Sequence, residues 1–155
     1  MQIKFLDLKA VNQPYFPQFM EATQRFLDSG WYVLGNEVQA FENEYAAYCG
    51  TDYCIGISNG LDALRAIFEG YKILGRLKEN DEVLVPANTY IASILAVTQS
   101  RLTPVLVEPD PESYNICPGK IKDAITSKTK AILAVHLYGQ LADMDAINAI
   151  KKPTI

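Results

Sequence analysis

Cysteine and histidine are scarce in this sequence, and none of them stand at a spacing that binds metal. Three cysteines and a single histidine, His136, occur among 155 residues. Cys49, Cys54 and Cys117 form neither a CxxC pair nor an even set of disulfide partners, so the sequence predicts no zinc site and no disulfide framework. Because free cysteine is readily buried, we interpret all three as structural or incidental thiols.

Long apolar runs and clusters of basic residues are also missing. No apolar run approaches the ~20 residues that span a bilayer, and the first residues, Met1 to Phe5, lack the apolar core of a signal peptide. With 14 basic and 18 acidic side chains, the chain carries no electrostatic footprint for nucleic acid or for an anionic membrane surface. No GxGxxG follows a predicted strand, which argues against a dinucleotide-binding dehydrogenase. These absences predict a cytoplasmic protein without nucleic-acid or membrane partners.

What the sequence does contain is an alternation of strand and helix patterns. Its 155 residues, 49% of them apolar, are enough for one compact domain. Alternation without hairpin signals predicts an α/β fold with a mostly parallel sheet and flanking helices. The predicted strands are 53–57, 82–85, 104–107 and 130–135, and the predicted helices are 14–27, 36–49 with Asn36 as its N-cap, 61–74, 87–97, 118–125 and 143–150.

The residues that follow the predicted strands are the candidates for chemistry. Open parallel sheets bind ligands beyond the carboxyl ends of their strands, so these residues are expected to line one pocket. They are Ser58-Asn59-Gly60, Asn88-Thr89-Tyr90, Glu108-Pro109-Asp110 and His136-Leu137-Tyr138-Gly139.

The turn at residues 58–60 offers a site for phosphate. It leads directly into a helix, where the backbone N–H groups of Asn59, Gly60 and Leu61 are free and the helix dipole favours negative charge. An ordinary N-cap is the structural alternative, and it applies equally to Asn88 and Thr89.

The other candidates also have structural alternatives. Proline and aspartate favour turns, so residues 108–111 are interpreted as a turn rather than as a catalytic dyad. His136 fits either a hydrogen-bonded structural residue or a catalytic one. Trp31 and Tyr32, in a loop between glycines, fit either a core anchor or an exposed interaction surface.

Six motifs, in order along nearly the whole chain, resemble those of the DegT/DnrJ/EryC1/StrS aminotransferases. The resemblance implies a pyridoxal phosphate (PLP) enzyme, a transaminase of nucleotide-linked keto sugars, nearest to those acting on dTDP-3-keto-6-deoxyhexoses. It also implies an amino donor such as glutamate, a homo-oligomer, and the large domain of the aspartate-aminotransferase-like fold, PLP fold type I. The motifs are FLDL (5–8), SGWYVLG (29–35), FENEYA (41–46), SNGLDAL (58–64), DEVLVPANTY (81–90) and VHLYGQ (135–140).

The same resemblance assigns roles to residues already singled out. Asn59, Gly60 and Leu61 would hold the PLP phosphate through backbone amides. Tyr90 would stack on the pyridine ring, an interaction worth ~1 kcal/mol beyond buried area. The implied substrate contacts are Trp31, Tyr32, His136 and Tyr138.

The catalytic groups of the family lie downstream of the part that this chain matches. Transamination needs a Schiff-base lysine and an acid that pairs with the pyridinium nitrogen. In the family both lie beyond the position of Ile155, so no catalytic residue is assigned here and PLP binding is expected to be weak or absent. We therefore expect residues 1–155 to be a single N-terminal segment of the PLP-binding large domain, without the rest of that domain or the small domain, and unable to transaminate. The alternative is a non-catalytic α/β module that binds a nucleotide or a partner chain, which titration with dTDP would reveal.

Two turns depart from the family pattern, and one predicted strand lacks the partner that it has in the family fold. Asn80 and the turn Ser100-Arg101-Leu102 replace turns that usually contain glycine. In the family fold the strand at 53–57 pairs with a strand outside this chain. Without that partner its backbone groups are unpaired, so we expect self-association, strand exchange or a rearranged pairing.

Overall fold

The computed structural model describes residues 4–150, and the chain divides into two compact units between Gly56 and Ile57. The first unit is helical. It contains α1 (Leu8–Asn12), a 3-10 turn (Gln13–Tyr15), α2 (Phe16–Ser29) and α3 (Asn36–Cys49). The predicted helices at 14–27 and 36–49 correspond to α2 and α3. The residues described contain no helix long and apolar enough to cross a membrane.

Glycines mark both ends of the loop between α2 and α3. Gly30, with φ +63°, ends α2 in the left-handed conformation that glycine adopts without steric cost. Gly35 is the N-cap of α3, and its carbonyl accepts the first intrahelical hydrogen bond, from Gln39 N–H at 3.2 Å. The prediction of Asn36 as N-cap was wrong, because Asn36 already lies within the helix.

The predicted strand at 53–57 is not a strand. A strand requires a ladder partner, and this segment pairs with no other strand in the described part of the chain. It lies beside α3 instead, where Gly56 N–H donates to Glu42 Oε1 at 2.7 Å. Tyr53 and Ile55 remain exposed, and Cys54 is half-buried. The apolar pattern of this segment is therefore left without the sheet that it would join.

The second unit has a three-stranded parallel sheet at its centre. The strand order is β2-β1-β3, and both neighbours of β1 run parallel to it. The predicted α/β class with a parallel sheet is confirmed, although the last strand ends at Ile132 rather than at 135. The elements are α4 (Gly60–Ile73), β1 (Glu82–Pro86), α5 (Ile91–Gln99), β2 (Thr103–Val107), α6 (Pro118–Ala124), β3 (Thr129–Ile132), a 3-10 turn (Leu137–Gly139) and α7 (Met144–Asn148).

The central strand is buried on both faces, as continuous apolar runs in parallel sheets predict. Successive side chains point to opposite faces of a strand. Val83 and Val85 pack in one cluster, together with Phe68 of α4 and Val97 of α5. Leu84 packs in the other, formed chiefly by β2, α6, α7 and the loops between them. This layering fixes the positions of the loops that leave the carboxyl ends of the strands.

The two turns that depart from the family pattern both contain a left-handed residue. Asn80 has φ +68° and Arg101 has φ +56°. They meet through a hydrogen bond from Asn80 N–H to the Arg101 carbonyl at 2.9 Å. A left-handed conformation is the one that glycine adopts most easily, which explains why glycine suits these turns.

Candidate functional site

A largely apolar cleft of about 760 Å³ lies between the first turns of α4 and α5. The four residues predicted to contact the cofactor, Asn59, Gly60, Leu61 and Tyr90, all line this cleft. Two of the four groups that follow predicted strands are thus brought together in one place. Glu108, Asp110, His136 and Tyr138 do not line it.

The first turn of α4 leaves backbone N–H groups unpaired beside this cleft. Asn59 is the N-cap, and its Oδ1 accepts from Asp62 N–H at 3.0 Å. The N–H groups of Gly60 and Leu61 have no hydrogen-bond partner among residues 4–150. A methyl group built on Gly60 would meet no atom within 4 Å, so this position opens into the cleft. The N-cap alternative and the phosphate alternative are therefore compatible, since the cap uses a different amide.

A carboxylate stands beside these donors, and polar neighbours hold it. Asn59 Nδ2 donates to Asp62 Oδ2 at 2.9 Å, and Ser58 Oγ lies 3.3 Å from the same oxygen. Arg65 pairs with Asp62 Oδ1 at 2.9 Å. The hydrogen bond from Asn59, followed by those from Ser58 and Arg65, lowers the pKa of Asp62 below its usual value. The charge of Asp62 is thus balanced by Arg65 within the same helix.

Tyr90 presents its ring to the cleft with little packing of its own. It is the N-cap of α5, and 78% of the residue is exposed. The alternative in which Asn88 and Thr89 cap this helix does not hold, because the helix begins at Ile91 rather than at 87. Thr89 Oγ1 instead lies 3.0 Å from Ser93 Oγ, and Asn88 Nδ2 donates to the Tyr114 carbonyl at 2.9 Å.

The segment 108–111, interpreted from the sequence as a turn, leads into one: Pro109 forms an isolated bridge with Ile116, and the turn follows at residues 111–113. Asp110 Oδ1 accepts from the N–H groups of Ser113 at 2.9 Å and Glu112 at 3.0 Å. These backbone hydrogen bonds lower the pKa of Asp110. The Asp110 carboxylate therefore stabilises the backbone of this loop.

His136 has a structural hydrogen bond on one of its ring nitrogens. Its Nδ1 accepts from Ala142 N–H at 3.1 Å. A neutral imidazole that accepts at Nδ1 carries its proton at Nε2, so His136 presents a donor to the outside. Tyr138 is fully exposed in a left-handed backbone conformation. Substrate contacts by both residues stay predictions.

Trp31 and Tyr32 line a separate cavity of about 250 Å³ within the first unit. The Tyr32 ring lies 4.9 Å from that of Phe26, between centroids. Trp31 Nε1 donates to the Val33 carbonyl at 2.6 Å, which leaves the indole faces rather than the N–H for any ligand. Both residues remain more than half exposed, so neither is a core anchor.

One buried polar residue was missed by the sequence analysis. Asn115, only 3% exposed, donates from Nδ2 to the carbonyls of Gln140 and Leu141, both at 3.1 Å. Its Oδ1 accepts from Leu137 N–H at 3.0 Å. Asparagine is common in turns, so nothing in its local sequence signals a buried role.

Comparison with known proteins decides the family. A family profile described as the DegT/DnrJ/EryC1/StrS aminotransferase family matches residues 16–154. The chain belongs to the DegT/DnrJ/EryC1/StrS aminotransferase family. The predicted resemblance is thereby confirmed.

Individual relatives agree with this membership. The chain is 57% identical over 151 residues to the dTDP-3-amino-3,6-dideoxy-alpha-D-galactopyranose transaminase of Aneurinibacillus thermoaerophilus, covering 97% of this chain and 40% of that protein. Among solved structures it resembles S. venezuelae DesV in complex with ketimine intermediate, with a TM-score of 0.88 and 47% identity over 95% of this chain and 38% of DesV. It also resembles GDP-4-keto-6-deoxymannose-3-dehydratase with a trapped PLP-glutamate geminal diamine, with a TM-score of 0.78 and 32% identity over 83% of this chain and 34% of the dehydratase. The chain therefore spans between a third and two fifths of the length of these proteins.

Proposed function

We propose that this DegT-family chain supplies part of the cofactor site of a PLP-dependent aminotransferase that acts on nucleotide-linked keto deoxysugars. Its phosphate cradle is the pair of backbone amides of Gly60 and Leu61, and its ring platform is the Tyr90 side chain. In this proposal residues 1–155 form one segment of the PLP-binding large domain. The observation that supports it is the single cleft that brings the Gly60 and Leu61 amides and the Tyr90 ring together. Amides at the start of a helix suit a phosphate, and an aromatic face suits a pyridine ring.

The residues of the cleft fit PLP in size, polarity and charge. The free Gly60 and Leu61 N–H groups would donate hydrogen bonds to the phosphate, and the open space at Gly60 leaves room for it. Arg65 offsets the charge of Asp62, which would otherwise repel the phosphate. When bound, PLP supplies the electron sink for amino-group transfer. The Tyr90 ring would fix the plane of the pyridine.

Substrate recognition is assigned to residues outside this cleft. Trp31 and Tyr32 offer exposed aromatic faces, which suit stacking on a nucleobase or a sugar ring. His136 offers an Nε2–H donor and Tyr138 a free phenol, which suit the hydroxyl and keto oxygens of a sugar. The Aneurinibacillus thermoaerophilus relative is a transaminase of a dTDP-linked amino sugar, which supports dTDP-linked keto deoxysugars as substrates. Transamination also needs an amino donor, and a donor such as glutamate is part of the proposal.

A homo-oligomer is part of the same proposal. The first unit exposes large apolar side chains on α2 and α3, among them Phe19, Met20 and Phe41. Apolar surface of this kind marks protein–protein contacts. The exposed Tyr53 and Ile55 add an unpaired apolar segment. Light scattering should show a species larger than a monomer, and a clean monomer at all concentrations would contradict this part.

The cradle is tested by an NMR titration of the isotope-labelled 155-residue chain. Pyridoxamine phosphate is the probe, because it lacks the aldehyde that reacts with surface lysines. Pyridoxamine, which lacks the phosphate, and inorganic phosphate, which lacks the ring, are the matched controls. We expect the Gly60 and Leu61 amides to shift with pyridoxamine phosphate and with phosphate, but not with pyridoxamine.

Activity is tested separately on the full-length protein that contains this chain. With PLP present, we expect transfer of an amino group from glutamate to a dTDP-linked keto deoxysugar. Saturable binding of dTDP to the 155-residue chain without any response to pyridoxamine phosphate would instead favour a nucleotide-binding module. Chemical-shift changes that are confined to residues outside α4 would contradict the cradle.

A further inference from the structure

Hydrogen bonds from two asparagine side chains connect three loops at the carboxyl end of the sheet. Asn115, in the loop between β2 and α6, binds Leu137, Gln140 and Leu141 in the loop after β3. All three of these hydrogen bonds are at least partly shielded from water, and the Asn115 side chain is buried. Breaking them would leave a buried amide without partners, which is costly.

The second asparagine joins the remaining loop to this pair. Asn88, between β1 and α5, donates from Nδ2 to the carbonyl of Tyr114, the residue before Asn115. Ala87 N–H also donates to the Val107 carbonyl, at 2.8 Å. The loop that carries Tyr90 is thus joined to β2 and to the loop after it by one side-chain hydrogen bond and one backbone hydrogen bond.

Tyr90 depends on such ties because it has few contacts of its own. With 78% of the residue exposed and no aromatic partner among residues 4–150, its ring is placed by the backbone on which it stands. Asn88 lies two residues before it. A change in the position of Asn88 would therefore move or loosen the ring at the cleft.

We propose that Asn88 and Asn115 are positioning residues that set the placement of Tyr90, with Asn88 acting directly on its loop and Asn115 acting through Tyr114. The proposal rests on the proposed function, because the consequence of a misplaced ring is weaker binding of the pyridine part of PLP. Among residues 4–150, the phosphate cradle on α4 shares no hydrogen bond with this network. Substitutions of Asn88 and Asn115 should therefore weaken binding of the pyridine ring without weakening binding of the phosphate.

The test compares two probes on four forms of the 155-residue chain. The forms are wild type, Asn88→Ala, Asn115→Asp and the control Asn148→Ala, which changes an exposed asparagine at the end of α7. Dissociation constants for pyridoxamine phosphate and for inorganic phosphate are measured by NMR titration. Asn88→Ala should weaken pyridoxamine phosphate binding by about fivefold, the equivalent of one aromatic contact, while phosphate affinity stays unchanged.

Asn115→Asp should reproduce this loss, because its carboxylate would face the carbonyls of Gln140 and Leu141. Combining it with Asn88→Ala should add nothing further, since both changes act through one chain of contacts. Equal weakening of both probes in Asn88→Ala would indicate general loosening and overturn the proposal. Unchanged pyridoxamine phosphate affinity in that variant would overturn it as well.

A ligand-free measurement separates this proposal from the cofactor proposal. The ring resonances of Tyr90, assigned with Tyr90→Phe, are expected to shift in Asn88→Ala and to stay in place in Asn148→Ala. If the wild type binds neither probe, residues 1–155 alone do not bind the cofactor phosphate, and the Tyr90 resonances still decide the positioning role. If Asn115→Asp does not fold, Asn88→Asp, which keeps the size of the side chain but removes the donor, replaces it. Tyr90 resonances that do not move in either Asn88 variant would overturn the inference.

Discussion

Asn59 and Asp62 exchange two hydrogen bonds across the first turn of α4. Asn59 Oδ1 accepts from Asp62 N–H at 3.0 Å, and Asn59 Nδ2 donates to Asp62 Oδ2 at 2.9 Å. Nδ2 makes a further hydrogen bond to Ser58 Oγ at 3.1 Å. The side chain of Asn59 is therefore occupied within the turn, so a ligand would be bound by the backbone amides that follow it.

Replacing the two glycines of α4 by alanine should separate stability from binding. Gly70→Ala, in the helix interior with open space around it, should raise the free energy of unfolding by about 0.5–1 kcal/mol and leave binding unchanged. Gly60→Ala should not destabilise the chain, since the methyl group meets no atom. It should weaken phosphate binding about tenfold or more, because the methyl group occupies the cleft beside the amides. Thermal unfolding and NMR titration check both. Equal phosphate affinities in the two variants would contradict the cradle.

The asparagines at the starts of α4 and α3, Asn59 and Asn36, should differ in their contribution to stability. Asn59→Ala removes a side-chain cap and should lower the free energy of unfolding by about 1 kcal/mol. Asn36→Ala is the matched control, because Gly35 and not Asn36 caps α3. It should leave stability unchanged or slightly higher. Urea unfolding measures both, and a comparable loss in Asn36→Ala would contradict the assignment of the α3 cap.

Arg101→Gly should stabilise the chain by up to about 1 kcal/mol, because Arg101 holds a left-handed conformation that costs L-residues energy. The exposed ion pair with Glu79 that is lost contributes little. Arg76→Gly, at a position without positive φ, should instead lower stability. The difference in melting temperature between the two variants checks this. A loss in both would show that backbone strain at Arg101 is small.

Acid should remove the stabilising contribution of Asp62. Its pKa is lowered in the folded chain, chiefly by Asn59, so the unfolded chain binds more protons below about pH 4, the ordinary range of aspartate. The contribution is complete above that pH and is lost as the pH falls through the folded pKa. Asp62→Asn lacks it. The stability difference between wild type and Asp62→Asn should therefore shrink between pH 6 and pH 3 in urea unfolding. A constant difference would contradict the role of the carboxylate.

Much of the fold follows from local patterns. The helical period predicted α2, α3 and α4 to within a few residues, and the apolar run at 82–85 predicted the strand β1. The pairing of strands is different in kind, because a ladder depends on residues far away in the chain. The segment 53–57 has the apolar pattern of a strand, but no strand lies beside it among the residues described.

The sequence by itself determined the α/β class, the start of α4 marked by Asn59, and the residue types suited to phosphate and ring. These depend on local backbone preferences and on apolar periodicity, which neighbouring residues set. Only the tertiary structure decided that Tyr90 shares a cleft with Gly60 and Leu61 while His136 and Tyr138 do not line it. It also decided that the buried Asn115 side chain connects two loops by hydrogen bonds. Such contacts join residues about 25 positions apart, and only the packing of helices on the sheet brings them together.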